Sequence, residues 1–140
     1  MASTYSPNDV TVTLGGYLID GFAPDDLVAV EVAGDTVKHV RGATGHVARV
    51  IDRAPQLIKC TISLMQTSAA NGTLGLLHDA QRVPGSLPLP FVLKNLNGGE
   101  GVTIPAASIM RKPGPDFGND AKVRQWIVEG QGEITSAGAP

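Results

Sequence analysis

Several things are scarce in this chain of 140 residues. It has one cysteine, Cys60, which excludes an intrachain disulfide framework and cannot hold zinc alone. Aromatic residues make up 4%, too few for an aromatic-rimmed ligand pocket to be the leading expectation. Charged residues are 17%, below the roughly one-quarter of an ordinary soluble protein. Positive charge is not in excess. The net charge is −2 and the pI about 5.8, which opposes a sequence-specific nucleic-acid binder. No apolar run approaches the ~20 residues of a membrane-spanning helix. No secretory signal pattern follows Met1, so synthesis and folding in a cytoplasm are expected.

Turn formers and alternating hydrophobics are abundant. Seventeen Gly and ten Pro punctuate the chain, and the many Val, Ile and Leu residues argue against disorder. The length suits one domain, residues 1–140, with its own core. Residues 1–8 are small and polar and read as a flexible arm. Val10, Val12 and Leu14 then alternate with Thr11 and Thr13, the period of a half-buried strand. Gly15-Gly16 signals a hairpin returning through Tyr17-Leu18-Ile19. Val28, Val30 and Val32 mark a further strand. Residues 28–53 read as a meander turned at Gly34-Asp35 and at Gly42-Ala43-Thr44-Gly45. The clearest core strand follows, with Ile58, Cys60, Ile62 and Leu64 on one face and Lys59, Thr61 and Ser63 on the other.

One short helix is expected over residues 71–82, with Ser68 or Asn71 as cap and Leu74, Leu77 and Ala80 or Gln81 on its apolar stripe. It stops before Pro84-Gly85-Ser86. A strand over 87–94 starts beside Pro88 and Pro90, which places its beginning at an edge. Residues 95–101 form a hairpin loop, 102–110 pair back, and 122–134 close the sheet. The fold class is all-β dominated, with a minor α component: a small antiparallel β-sandwich or barrel flanked by one short α-helix.

No catalytic constellation is legible. His39, His46 and His78 are scattered without metal-ligand spacing. Asp25-Asp26 lacks the alternating oxygens of a calcium loop. Asn97-Gly98-Gly99-Glu100-Gly101 lacks the Lys-Ser/Thr of a phosphate loop and carries an acid. Cys60 reads as a core residue. Asn71-Gly72-Thr73 matches a glycosylation sequon by chance. No catalytic, cofactor or metal residue is assigned, and no enzyme activity is expected. Trp126 has two open readings, core aromatic or anchor at a subunit contact.

Three stretches resemble a known family: Asn8-Asp9-Val10-Thr11-Val12, Leu64-Met65-Gln66-Thr67-Ser68-Ala69-Ala70-Asn71, and the closing residues 123–130 with Trp126. Over residues 5–134 the chain is similar to tail tube proteins of contractile-tailed bacteriophages. The resemblance implies a virion structural protein, assembled in the bacterial cytoplasm, that forms hexameric rings stacked into a tube. It implies partners: other copies of the chain, the tail sheath protein, baseplate and terminator proteins, and the tape measure protein and DNA within the bore. The genome would pass through this tube into the host.

Under that resemblance, the polar strand faces are expected to line the bore: Thr11, Thr13, Lys59, Thr61, Ser63, Gln125 and Glu129. Neutral and acidic groups let DNA slide, whereas cations would hold its phosphates. Lys59 is an exception that Asp9 or Glu129 would neutralise. Contacts between rings or subunits are expected from the arm with Tyr5, from the 42–55 loop region with Arg41, Arg49, Asp52 and Arg53, and from Trp126. The helix is expected to face outward. Alternatives are a tail terminator or baseplate component, the tube of a DNA-free contractile injection system, or a monomeric ligand-binding β-barrel.

Overall fold

A computed structural model describes residues 10–24, 27–96, 99–115, 117–119 and 122–135. Tyr5 and the rest of the 1–8 arm, Asp9, the Asp25-Asp26 pair, and Asn97 and Gly98 lie outside them. Nine strands and one helix are described: β1 (Val10–Leu14), β2 (Tyr17–Ile19), β3 (Val28–Ala33), β4 (Val37–Arg41), β5 (Val47–Ile51), β6 (Gln56–Met65), α1 (Ala70–Gln81), β7 (Leu89–Asn95), β8 (Gly101–Arg111) and β9 (Val123–Thr135).

Seven strands make one antiparallel sheet in the order β2-β1-β7-β8-β9-β6-β3. Strands β2 and β3 are its edges, so the sheet is not closed into a barrel. It folds over itself like a sandwich around one hydrophobic core. The β1–β2 turn is the expected two-residue hairpin, with Leu14 opposite Tyr17 and both Gly15 and Gly16 at positive φ. Period two then sorts the side chains. Val12, Leu14, Ile58, Cys60, Ile62, Leu64, Phe91, Ile104 and Val128 are all at most 1% exposed. Each such aliphatic burial stabilises by about 1.5–3 kcal/mol relative to exposure.

The expected meander over 28–53 is not formed. Strand β3 turns away from β4 and pairs antiparallel with β6, Val30 opposite Cys60 and Val28 opposite Ile62. Val28 thereby packs against the core, a gain that a local turn at Gly34-Asp35 would forfeit. Strands β4 and β5 are left as a separate two-stranded hairpin.

Close backbone approach explains the fold of β8 over β9. A Cβ on Gly132 would lie 2.2 Å from the Thr103 carbonyl oxygen, and one on Gly130 2.7 Å from that of Ala106. Between Thr103↔Glu133 and Ser108↔Glu129 the register slips by one residue, a bulge that bends β8. Strand β7 lies inside the sheet, but its pairing with β1 begins only at Phe91, so Pro90 has no ladder partner to disappoint.

Helix α1 packs on the core side of the sheet with Ala70 and Leu74 buried. Neither Ser68 nor Asn71 is its N-cap; that position is Ala69. Ser68 Oγ nevertheless accepts from the Ala70 N–H (3.2 Å) while donating to the Asp20 carbonyl (2.7 Å).

Candidate assembly surfaces

Two amide side chains fasten the helix to the sheet. Asn71 Nδ2 donates to the Met65 carbonyl (2.9 Å), and Asn71 Oδ1 accepts from the Trp126 indole N–H (3.0 Å). At the other end of the helix, Gln81 Oε1 accepts from the Ile109 N–H (2.9 Å) and its Nε2 donates back to the Ile109 carbonyl. Trp126 is 2% exposed. Its place is therefore the core, the first of its two open readings. Lys112 Nζ lies 3.5 Å from Asp79 and His78 Nδ1 3.4 Å, joining the helix to the segment after β8. The hydrogen bond from His78, then the Lys112 charge, holds the Asp79 carboxyl below its usual pKa.

The opposite face of the sheet carries polar rows interspersed with Ala29, Leu57, Val92 and Ile127. Cross-strand register puts Glu31, Lys59 and Glu129 in one row over β3, β6 and β9, and Ser63 opposite Gln125 in another. Thr61 lies between Ala29 and Ile127. Following the ladders outward, Thr13 pairs with Val92, Val92 with Thr103, and Thr103 with Glu133. Glu133 and Glu129 share a side of β9, so all seven residues expected at a bore project from the same face of the sheet. They form two groups: Lys59, Thr61, Ser63, Gln125 and Glu129 on adjacent strands, and Thr11 and Thr13 three strands away. Ser63 is 5% exposed and contributes little surface. Lys59 stands directly across from Glu129, one of the two neighbours expected for it.

The β4–β5 hairpin presents the other surface. Register places Val40, Ala48 and Val50 with Lys38 on one side. His39, Arg41 and Arg49 lie on the other, among Val37, Val47 and Ile51. Every residue of both strands is exposed, the five Val and Ile side chains by 43–53%. An isolated two-stranded ladder is at best marginal in water, so these apolar groups need a further surface. At its base, the Asp52 N–H donates to the Thr36 carbonyl (2.8 Å) and Asp52 Oδ1 accepts from the Ala54 N–H (3.0 Å). Arg41, Arg49, Asp52 and Arg53 are thus together on one projecting element. The sequence did not reveal how little of this element the other described residues cover; Val37, Val40, Val47 and Val50 were the available signal.

Among the described residues, no three His, Cys, Asp or Glu side chains converge as a metal site. Burial pushes the Cys60 thiol up from 9.0 to about 11, far from a nucleophile's range.

No family model matches the chain. It is 31% identical over 134 residues to structural protein ORF10 of Pseudomonas phage KPP10, covering 90% of this chain and 77% of that protein. The fold is similar to the tube-terminating cap of the anti-feeding prophage, with TM-score 0.61, 16% identity, and 98% and 95% of the two chains covered. It is also similar to the sheath/tube terminator of the PVC extracellular contractile injection system, at TM-score 0.64, 12% identity, and coverage of 96% and 99%. The extended sheath-tube complex of that system gives TM-score 0.60 and 13% identity, over 91% of this chain and 88% of the other. The chain is a structural protein, not an enzyme. It belongs to the phage structural-protein family that includes ORF10 of phage KPP10, built on the fold of contractile-tail tube and tube-terminator subunits.

Proposed function

We propose that the chain is the inner-tube subunit of a contractile phage tail, a virion component forming hexameric rings that stack into a conduit for the genome. The observation that carries this reading is the β4–β5 hairpin, whose half-exposed valines find no cover among the described residues. Such an element has its physical rationale in a second subunit. The two sides of the sheet support the same reading. The helix lies on the core side, against Ile109 and Trp126, and the row Glu31, Lys59 and Glu129 lies on the other. A subunit placed with the polar side toward the axis turns the helix toward the sheath.

In a ring, the edge strands β2 and β3 find partners on neighbouring copies, which removes the hazard of open edges. With four bore strands from each of six copies, ~24 strands at ~4.8 Å give a backbone diameter of about 37 Å before tilt. Thr11, Thr13, Thr61, Gln125 and Glu129 then offer DNA and the tape measure protein a wall without a free cationic array. The 1–8 arm with Tyr5 and the hairpin with Arg41, Arg49, Asp52 and Arg53 contact the next ring. Sheath, baseplate and terminator proteins complete the partner set, and assembly takes place in the host cytoplasm.

A second reading is the tail terminator, favoured by the likeness to two capping subunits. Negative-stain electron microscopy of purified protein across a concentration series separates them. A tube subunit gives hollow tubes that lengthen with concentration. Single rings that never stack, yet stop the growth of tubes made by another subunit, assign the terminator role instead.

A further inference from the structure

A groove of about 520 Å3 opens at the mouth of the curled sheet. Val10, Val28, Val30, Leu93, Val102 and Ile134 line it, so all five of the strands β1, β3, β7, β8 and β9 contribute an apolar side chain. Glu100 also lines it, and among the described residues no cationic one does. An adjoining groove shares Val10 and Leu27 and carries Asp20. The mouth is therefore apolar inside with acidic side chains around it.

The hairpin has the complementary character. Residues 36–53 hold four of the chain's eleven Lys and Arg residues, Lys38, Arg41, Arg49 and Arg53, but only one of its thirteen acids, Asp52. Its tip, Gly42-Ala43-Thr44-Gly45, is small, closed by a Gly45 N–H to Gly42 carbonyl bond of 3.1 Å. Among the described residues, none that lines the groove belongs to the hairpin, so the hairpin of the same chain does not fill it.

We infer that this groove receives the β4–β5 hairpin tip of a second copy of the chain, with Arg41 and Arg49 meeting Glu100 and Asp20 at the rim. The assignment rests on the tube reading and names the receiving surface within it. A groove of this size suits a hairpin tip rather than a whole ladder. Docking removes apolar surface from water on both partners, Val40 and Val47 beside the hairpin tip and the walls of the groove. The charges set orientation and encounter rate more than affinity. Because hairpin and groove are different patches, the contact is heterologous and leaves a docked pair with one hairpin and one groove still free. It therefore propagates instead of stopping at a dimer.

The test uses full-length chains. Thr44→Cys and Glu100→Cys are placed in separate, differently tagged chains, mixed over a concentration series and oxidised; native Cys60 is buried and stays reduced. The expected result is a heterodimeric disulfide that forms at least ~10-fold faster than either homodimer. In parallel, R41E and E100K are each expected to raise the concentration needed for assembly about tenfold, and the R41E/E100K pair to return it to near the parent value. Absence of the mixed disulfide at every concentration, or failure of the double variant to recover, overturns the groove assignment. If deletion of residues 42–45 also leaves tubes unchanged, the stacking role of the hairpin fails with it. If that deletion abolishes tubes while the disulfide is absent, the hairpin docks elsewhere and only the groove is wrong.

Discussion

The indole N–H of Trp126 on β9 donates to Oδ1 of Asn71 on α1 at 3.0 Å. The bond joins the first turn of the helix to the middle of the sheet, 55 residues away in sequence. The same amide spends its Nδ2 on the Met65 carbonyl, so one side chain fixes the end of β6, the start of the helix and the core tryptophan.

Asn71→Ala leaves a buried indole donor without a partner. The expected cost is about 1–3 kcal/mol, read as a lower urea midpoint with unchanged slope. Asn71→Asp keeps the acceptor and loses the donors, so it should fall between the parent and the alanine variant. Equal stability of all three would remove the bond from the list of supports.

Gln81 makes a paired contact with both the N–H and the carbonyl of Ile109. Gln81→Glu retains the acceptor but sets a carboxylate against a carbonyl oxygen. Its loss should therefore exceed that of Gln81→Ala at neutral pH and shrink as the pH falls through the carboxyl range. A pH-independent difference between the two variants would count against the pairing.

Gly132→Ala tests the close crossing of β8 and β9. Its Cβ would sit 2.2 Å from the Thr103 carbonyl oxygen and 2.9 Å from Ile104 Cγ1. Backbone must shift, and a loss of at least ~3 kcal/mol is expected. Gly34→Ala is the control: its φ of +80° is strained, but nothing lies within 4 Å, so about 1 kcal/mol is expected. Thermal melts of the two variants side by side decide whether steric contact or backbone conformation dominates.

Much of this fold is legible in period two. The Gly15-Gly16 hairpin, the core side of β6 and the alternation of β9 are readable from adjacent residues, because strand geometry and turn chemistry are local. The partner of β3 is not. Val28, Val30 and Val32 look the same whether they pair with the next strand or with β6, and only the tertiary core decides. The roles of Asn71 and Gln81 were hidden for a related reason. A side-chain amide bound to a distant backbone has no sequence period, and Asn71 near a helix start resembles a cap. Alternation puts Thr11, Thr13, Lys59, Thr61, Ser63, Gln125 and Glu129 on one side of their strands, but it could not foresee the near-complete burial of Ser63.

Cys60 predicts a pH dependence. Its thiol is raised from 9.0 to about 11 by burial alone, so the folded chain holds this proton after the unfolded chain has released it. Its contribution is complete below pH about 9 and is lost progressively as the pH rises toward 11. Cys60→Ala should flatten that alkaline limb while lowering stability at pH 7 through the small cavity it leaves. Alkylation at pH 8 should require unfolding; rapid labelling of the native chain would contradict the burial.

The last prediction concerns the polar face. In the proposed tube, Glu129 stands beside Lys59 and offsets the main cation expected toward the bore. Glu129→Lys would place two cations side by side. Repeated around six subunits and along many rings, that change makes a phosphate-binding ladder whose grip weakens with salt. Glu129 is half-buried on a surface strand, so tubes should still assemble with normal length. Genome ejection should slow, and the defect should ease as ionic strength rises. Phage carrying Lys59→Gln should eject at least as fast as the parent. Normal ejection by the Glu129→Lys particles would place this face away from the bore, and loss of tubes would place it at a subunit contact.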